Sequence, residues 1–323
     1  MFSIIIPLYN KEKYVAKTLN SLFAQTYQNF EIVIVDDGST DNSVDEVKKL
    51  YDNRIRIINQ QNAGVSAARN RGISEAQYDL IAFLDADDLW EKDFLETMIG
   101  LIQKYDRCSV FALNYTILTY DNTIRSLVIT GLQKDFKQGI LSNYFQIASQ
   151  SDPILWTSSI VVQKEAINAI GGFPTGIRAG EDLLTWARLA ARYDIAYSIE
   201  PKAIFNRIGE DINTAPRIPD AHDQVGKELR KLLLMSDKSR LNGLKNYIAY
   251  WHKIRLAIFL RLEKSQEAER EFQQMSEFSK RNLKFFIYAG LVYSPQWMTK
   301  FLNLSLLHLN FYRRKLLSNR DGK

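Results

Sequence analysis

The chain has 323 residues, 46% hydrophobic and 24% charged, with a formal net charge of +5 at pH 7. That composition excludes disordered and collagen-like classes and leaves room for one large core, or one core with a smaller appendage. Cys108 is the only cysteine, which excludes an intrachain disulfide and a cysteine-rich zinc cage and fits a reducing compartment.

The opening MFSIIIPLYN enters an apolar, strand-like run at once, with no basic leader and no small-residue cleavage site, so a cytosolic protein is expected. Short β-branched runs then alternate with helix-like segments. Residues 3–7, 30–36, 54–59 and 80–85 read as strands, with helices near 11–25, 42–51, 64–76 and 91–104 between them. Runs as unbroken as IIIP, IVIV and LIAFL belong to strands of a parallel sheet whose two faces are both covered by crossover helices. Ligands of open α/β sheets collect at the carboxyl ends of the strands. The polar residues stand at those ends: Asn10, the Asp36-Asp37-Gly38-Ser39 turn, the stretch from Asn62 to Asn70, and the acidic turn from Asp85 to Asp88.

From 109 to 130 two extended runs split by Tyr120-Asp121-Asn122 suggest a hairpin or edge pair, which makes the sheet mixed. A helix near 139–148, an apolar run at 159–162, a Gly171-Gly172-Phe173-Pro174 turn and a helix over 181–193 follow. Strand signals nearly vanish after residue 220, so a boundary is placed between 206 and 220, separating a unit of residues 1–215 from a basic helical region of 216–323. The most apolar stretch, 283–291, is interrupted by Lys284 and falls well short of the roughly 20 apolar residues of a spanning helix, so the protein is not expected to be integral.

Asp85-Ala86-Asp87-Asp88 puts three carboxylates within four residues, a repulsive arrangement unless a cation neutralises it. Mg²⁺ or Mn²⁺, held by one or two carboxylates and by substrate phosphates, would do so; a helix N-cap at Asp87 or Asp88 is the bland alternative. Asp36 and Asp37 are placed to accept hydrogen bonds from a nucleobase or ribose, against a reading as turn and cap. Asn62-Ala63-Gly64-Val65-Ser66-Ala67-Ala68-Arg69-Asn70 opens a helix with small residues and sets Arg69 where it meets either a diphosphate or a salt-bridge partner. Glu181-Asp182 starts a helix after a glycine-containing turn, where a carboxylate serves as a general base or simply favours the helix dipole.

Together, IIIPLYN, VDDGS, NAGVSAARNRG, FLDADD and GED, in this order over residues 1 to about 210, resemble the inverting glycosyltransferases of family 2, which have the GT-A fold. The resemblance implies a Rossmann-like, mainly parallel mixed sheet flanked by helices, with a nucleotide-binding part over 1–108 and an acceptor-binding part over 109–215. It implies that Pro7, Tyr9, Asp36 and Asp37 line a nucleotide pocket, that Arg69 approaches the nucleotide or its phosphates, that Asp85 meets the ribose and that Asp87 holds the metal. By the same resemblance Asp182 is the base with Glu181 beside it, and Trp156, Thr157 and Ser158 form part of the acceptor wall. The donor is then a nucleoside-diphosphate sugar, expected to be a UDP-sugar, and the acceptor a glycan or lipid-linked glycan of a cell-surface polysaccharide or lipopolysaccharide.

The sequence departs from the family at one point. Many relatives carry a histidine shortly after the ED helix, whereas the stretch from Ile204 to Asp211 has none, and His222, His252 and His308 lie further on. Arg207 or Glu210 is the expected substitute. The basic tail, exemplified by residues 251–261 and 311–317, reads equally as amphipathic helices on an anionic membrane face or as helices packed on the rest of the chain. No motif supports a nucleic-acid partner. Two other enzyme classes fail on the first loop: Pro7-Leu8-Tyr9-Asn10-Lys11 is neither the Gly-rich, Arg-containing loop of a sugar-nucleotide pyrophosphorylase nor the G-x-G-x-x-G of a dehydrogenase. A non-catalytic scaffold of the same fold is the remaining rival.

Overall fold

The computed structural model describes residues 1–50, 52–208, 218–279, 281 and 283–294. Glu210, Asp211, His308 and the basic stretch 311–317 lie outside them. Among the described residues one sheet of ten strands organises the fold: β1 (Phe2–Leu8), β2 (Phe30–Asp36), β3 (Ile55–Asn59), β4 (Leu80–Phe83), β5 (Leu89–Trp90), β6 (Val110–Leu118), β7 (Ile124–Ser126), β8 (Gln138–Ile140), β9 (Ile160–Gln163) and β10 (Ile195–Asn206). The main order is β3-β2-β1-β4-β9-β6-β10-β5; β7 pairs with β6, and β8 with β10. The first four strands in this order are parallel, β9 runs antiparallel to both neighbours, and β10 is again parallel to β6.

Successive strand side chains point to opposite faces. Ile4 and Ile6 of β1 join a core with helices α1 (Val15–Phe23) and α4 (Phe94–Lys104), while Ile5 joins the other core with Phe83 and helix α3 (Val65–Glu75). Helix α1 buries Val15, Thr18, Leu19 and Leu22, the spacing of one helical face. Helix α3 lies so close to β1 that a Cβ on Gly72 would stand 2.3 Å from Ile5 Cγ2. Helix α2 (Ser43–Lys49) follows β2.

The helix expected near 139–148 is divided. Residues 138–140 are the strand β8, paired antiparallel with Ser198, Tyr197 and Ala196 of β10, and only Tyr144–Ala148 is helical, as α5. The open edge of β10 offers backbone partners that a local helix pattern does not reveal. The helix expected over 91–104 begins at Phe94 with Asp93 at its N-cap, and β5 precedes it, so Asp87 and Asp88 are not its caps. Helices α6 (Lys164–Ala169) and α7 (Glu181–Ala190) follow β9.

The rest is helical: α8 (Gln224–Leu232), α9 (Leu244–Arg261), α10 (Ser265–Ser276) and α11 (Leu283–Tyr293). Val225, Leu229, Leu244, Tyr247, Ile248 and Trp251 share a core with Phe145, Leu184 and Trp186, so the core runs across the break in strand pattern. The opposite side of α9 packs through Leu256, Phe259 and Leu260 on Ala268, Phe272 and Met275 of α10. For residues 251–261 the packed reading of the basic tail therefore holds. No helix among the described residues is long and apolar enough to cross a membrane.

Candidate functional site

The loops after β1, β2, β3 and β4 meet at one edge of the sheet. Asn10 takes a left-handed φ of 52°, its side-chain carbonyl accepts from Thr40 N at 2.8 Å, and its own N–H donates to Ser39 Oγ at 3.2 Å. Lys11 N donates to Ser43 Oγ at 2.6 Å, so the first loop is tied to the second twice over. Asp37 is 3% exposed: Oδ1 accepts from Gln60 Nε2 at 2.7 Å and Ala63 N at 2.8 Å, and Oδ2 from Gly64 N at 2.9 Å. Its charge orders the loop that opens α3. Asp36 accepts from Ser39 N at 3.1 Å through Oδ1. Pro7 is half-buried and Tyr9 is exposed.

Strand β4 ends at Phe83, and the acidic turn that follows is closed by Asp88 N donating to Asp85 O at 3.0 Å. Each carboxylate has a different partner. Asp85 accepts from Arg69 Nη2 at 2.8 Å, and Asp87 ion-pairs with the Lys11 ammonium. Asp88, buried, accepts from Ser158 Oγ at 2.6 Å, Trp156 Nε1 at 2.8 Å and Asn206 N at 3.0 Å, which ties the turn to the segment before β9 and to the end of β10. Burial pushes Asp88 up to about 8, reinforced by Asp85 and Asp87 and opposed by the Ser158 and Trp156 hydrogen bonds. Burial also raises Asp87, with Lys11 opposing. A carboxylate cluster with raised proton affinity is one that a divalent cation stabilises. The residues fit such an ion: Asp85 and Asp87 supply hard oxygen ligands, and the Lys11 ammonium already stands in for a cation on Asp87.

Helix α7 starts after Gly180, which sits left-handed at φ 89° and ψ 12°. Glu181 turns inward, 7% exposed, with Oε1 3.6 Å from Arg69 Nη1. Arg69, 4% exposed, therefore bridges Asp85 and Glu181, and its guanidinium lies 5.1 Å from the Phe173 ring centre. Asp182, one residue on, is half-buried and lines a cavity of about 220 Å³ with Pro153, Trp156, Gly180, Leu183 and Trp251. Its recessed position raises its proton affinity, opposed by the Leu183 N–H at 2.7 Å and by Arg69, and reinforced by Asp85. A recessed carboxylate at a cavity wall is suited to accept a proton from a bound hydroxyl.

The description "Glycosyl transferase family 2" matches residues 3–161, which hold the first three motif loops, the acidic turn and Trp156-Thr157-Ser158. Residues 3–161 thus carry a glycosyltransferase family 2 domain. An uncharacterized glycosyltransferase of Rickettsia felis is 33% identical over 217 residues, covering 66% of this chain and 34% of that protein. A Bacillus subtilis protein named for teichuronic acid biosynthesis, TuaG, is 29% identical over 202 residues, covering 62% of this chain and 75% of its own. The chain spans about a third or less of the length of the first curated relatives it matches. The fold is GT-A: S. aureus TarS 1-349 in complex with UDP-GlcNAc superposes with a TM-score of 0.67 at 17% identity, over 97% of this chain and 91% of that one. The mannosyltransferase PcManGT from Pyrobaculum calidifontis, in complex with GDP-Man and Mn²⁺, gives 0.56 at 17% identity, over 95% and 86%.

Against the expectations for a family 2 member, several side chains are placed differently. Thr157 and Ser158 are 2% and 0% exposed and are not among the residues lining the cavity; Ser158 holds Asp88 and accepts from Asp85 N at 3.1 Å. Trp156 does line the cavity, packed on Phe205 with ring centres 3.9 Å apart. Arg69 is covered rather than open to a phosphate, and its guanidinium already pairs with Asp85 and Glu181. His222 is exposed beside α8, and His252 is buried against Glu271 in the helical region. Arg207, at the end of β10, is exposed with its guanidinium 5.9 Å from the Phe205 ring centre. Lys11 and Trp251 have no role in the motif reading above, and Asp88 enters it only as a carboxylate of the acidic turn or a helix cap, not as the group that ties the turn to Ser158, Trp156 and Asn206. Lys11 had a signal, a cation directly after Asn10 in a strand-end loop; Trp251 had none.

Proposed function

We propose that this chain is a glycosyltransferase that moves a sugar from a nucleoside-diphosphate donor, a uridine one, to a hydroxyl of a glycan acceptor in surface-polysaccharide synthesis. The observation that carries the reading is Asp182 facing a cavity while Arg69 joins Glu181, its sequence neighbour, to Asp85 of the acidic turn. The UDP-GlcNAc bound to the TarS fragment and the name of the teichuronic acid relative support the donor and pathway classes.

In this reading Pro7, Tyr9 and Asp36 receive the base, in loops that Asp37 and Asn10 keep ordered. Asp85, oriented by Arg69, receives the ribose, and Asp87 with Asp85 holds Mg²⁺ or Mn²⁺. That ion, when bound, offsets charge on the departing diphosphate. Asp182 takes the proton of the acceptor hydroxyl as the oxygen bonds to the anomeric carbon and the carbon–diphosphate bond breaks on the opposite face, so configuration inverts and the proton ends on Asp182. Glu181 holds Arg69 rather than touching the acceptor. Nucleotide-sugar chemistry and the buried Cys108 thiol, which burial pushes up to about 11, fit a cytoplasmic enzyme. A peripheral contact with an anionic membrane has a candidate surface on α11, which exposes Leu283, Phe286 and Tyr293.

The test is release of nucleoside diphosphate and sugar transfer over a panel of nucleotide sugars, with Mn²⁺, Mg²⁺ or chelator, for wild type, Asp87→Ala and Asp182→Asn. Metal-dependent release from one donor that Asp87→Ala abolishes is expected. Asp182→Asn should keep nucleotide binding and lose transfer by about 10²–10⁴-fold. A product that retains the donor's anomeric configuration would exclude single displacement, and absence of both release and nucleotide binding would favour the scaffold.

A further inference from the structure

The cavity beside Asp182 is built from four segments, one of them supplying Pro219. Pro153 and Trp156 come from the segment before β9, and Ala179, Gly180, Asp182 and Leu183 from the start of α7. The opposite wall is one face of α9: Trp251, Ile254, Arg255 and Ile258, spaced as neighbours on a helix. This face lies outside the matched segment 3–161. It is rigid. Trp251 Nε1 donates to Asp223 Oδ1 at 2.9 Å, and its six-membered ring lies against Gly180, where a Cβ would stand 2.4 Å from Cη2. Arg255, though it reaches the cavity, donates to Glu271 Oε1 at 2.8 Å and to the Asp220 carbonyl at 3.0 Å.

Size and polarity select the occupant. At about 220 Å³ the space is below the roughly 300–1,000 Å³ of pockets for drug-sized ligands and has the size of a single ring. Two indoles and two isoleucines offer apolar surface, and a carboxylate stands at one side. A pyranose has the matching division, a C–H face for an indole and hydroxyls around its edge. A lipid chain would offer the Asp182 carboxylate no donor beyond the Leu183 N–H it already has.

We propose that the α9 face of Trp251, Ile254 and Ile258 is the acceptor subsite: it takes the terminal pyranose of the acceptor glycan, presents one hydroxyl to Asp182 and sets which acceptor is used. The proposal rests on Asp182 being the base. Ile258, half-buried on the cavity side, is the position at which added volume fills the space with least disturbance of the core.

The experiment compares wild type, Ile258→Trp and Trp251→Phe, using the donor identified by the panel above, a set of p-nitrophenyl pyranosides and, separately, a prenyl phosphate. Nucleotide affinity and circular dichroism serve as controls for folding. Ile258→Trp should raise the acceptor KM at least tenfold, and Trp251→Phe severalfold, with nucleotide affinity within twofold of wild type. An acceptor KM unchanged in Ile258→Trp would overturn the subsite, as would transfer to the prenyl phosphate alone or donor hydrolysis without transfer to any pyranoside. No donor turnover and no nucleotide binding in wild type would instead overturn the reading of the whole site.

Discussion

Replacing Gly180 by alanine tests the contact that links the helical region to Asp182. Two penalties add. The left-handed conformation at φ 89° costs a non-glycine residue about 1–2 kcal/mol. The new Cβ would also stand 2.4 Å from Trp251 Cη2 and 2.6 Å from Cζ3, and the indole, 4% exposed and bonded to Asp223, has little freedom to retreat. Overpacking of this kind costs about 1–3 kcal/mol. The expected loss is about 2–5 kcal/mol, read as a lower urea midpoint at unchanged slope, together with a fall in kcat because Asp182 lies two residues on. Trp251→Phe removes the outer ring atoms, so in the double variant the clash part of the loss should disappear while the backbone part stays. A double-mutant cycle should therefore show a favourable coupling of about 1–3 kcal/mol. Additivity within about 0.5 kcal/mol would mean that the indole does not press on Gly180 and would refute the coupling of α9 to the base.

The pH profile of transfer at saturating donor should rise through an apparent pKa above the ordinary Asp value of 3.8, because burial favours protonated Asp182 and only the ionised form takes a proton; a base titrating at or below that value would contradict the recessed placement. Lys11→Met should tighten Mn²⁺ binding in the absence of nucleotide, by roughly fivefold or less, since the partly exposed Lys11–Asp87 pair it removes is worth at most about 1 kcal/mol. Weaker Mn²⁺ binding in a calorimetric titration would show that Lys11 does not compete for Asp87. Gly72→Ala should lose about 1–3 kcal/mol in thermal or urea unfolding, because its Cβ meets Ile5 Cγ2 at 2.3 Å. Gly100→Ala, in the interior of α4 with nothing within 4 Å, should instead gain about 0.5–1 kcal/mol.

The parallel half of the sheet was readable because such strands are covered on both faces: β2 has all seven residues buried and β1 all but Pro7, so IIIP and IVIV stand as apolar runs with only Ser3, Glu31 and Asp36 polar in the two strands. The acidic turn was readable as well, and its competing reading as a cap disappears because α4 starts at Phe94 behind Asp93. Short edge strands were not readable. β5 and β8 are two and three residues long and exist through pairing with β10, more than fifty residues away, which no local pattern encodes. Within the site, residue types were legible and partners were not. A carboxylate after a strand looks the same whether its charge meets a ligand, as proposed for Asp36, or three donors of the next loop, as observed for Asp37. Ser158 likewise stood two residues from Trp156 in sequence, yet in the 3₁₀ turn Thr157–Ser159 it is buried while Trp156, just before the turn, lines the cavity.

The buried quartet of the helical region gains a purpose from the same geometry. His252, Arg255 and Glu271 are 2%, 3% and 4% exposed, with Asp223 beside them. Burying so many charges stabilises a fold poorly compared with apolar packing of equal volume. Asp223, His252 and Glu271 have the spacing of metal ligands, but Arg255 already hydrogen-bonds Glu271 and lies 3.9 Å from Asp223, so the cationic place is taken by the chain. What charged, directional bonds supply and apolar contacts do not is a fixed orientation. Asp223 receives both Trp251 Nε1 and Gly226 N at 2.9 Å, and thereby sets the indole plane against Gly180 and the first turn of α8 at once. The indole plane in turn fixes the entry to α7 that carries Glu181 and Asp182. A chain of contacts thus runs from the α10 carboxylate Glu271, hydrogen-bonded to Arg255, through the 3.9 Å Arg255–Asp223 ion pair and the Asp223–Trp251 hydrogen bond to the packing of the indole on Gly180, so a substitution at Glu271 should act on Asp182 through these groups rather than by contact.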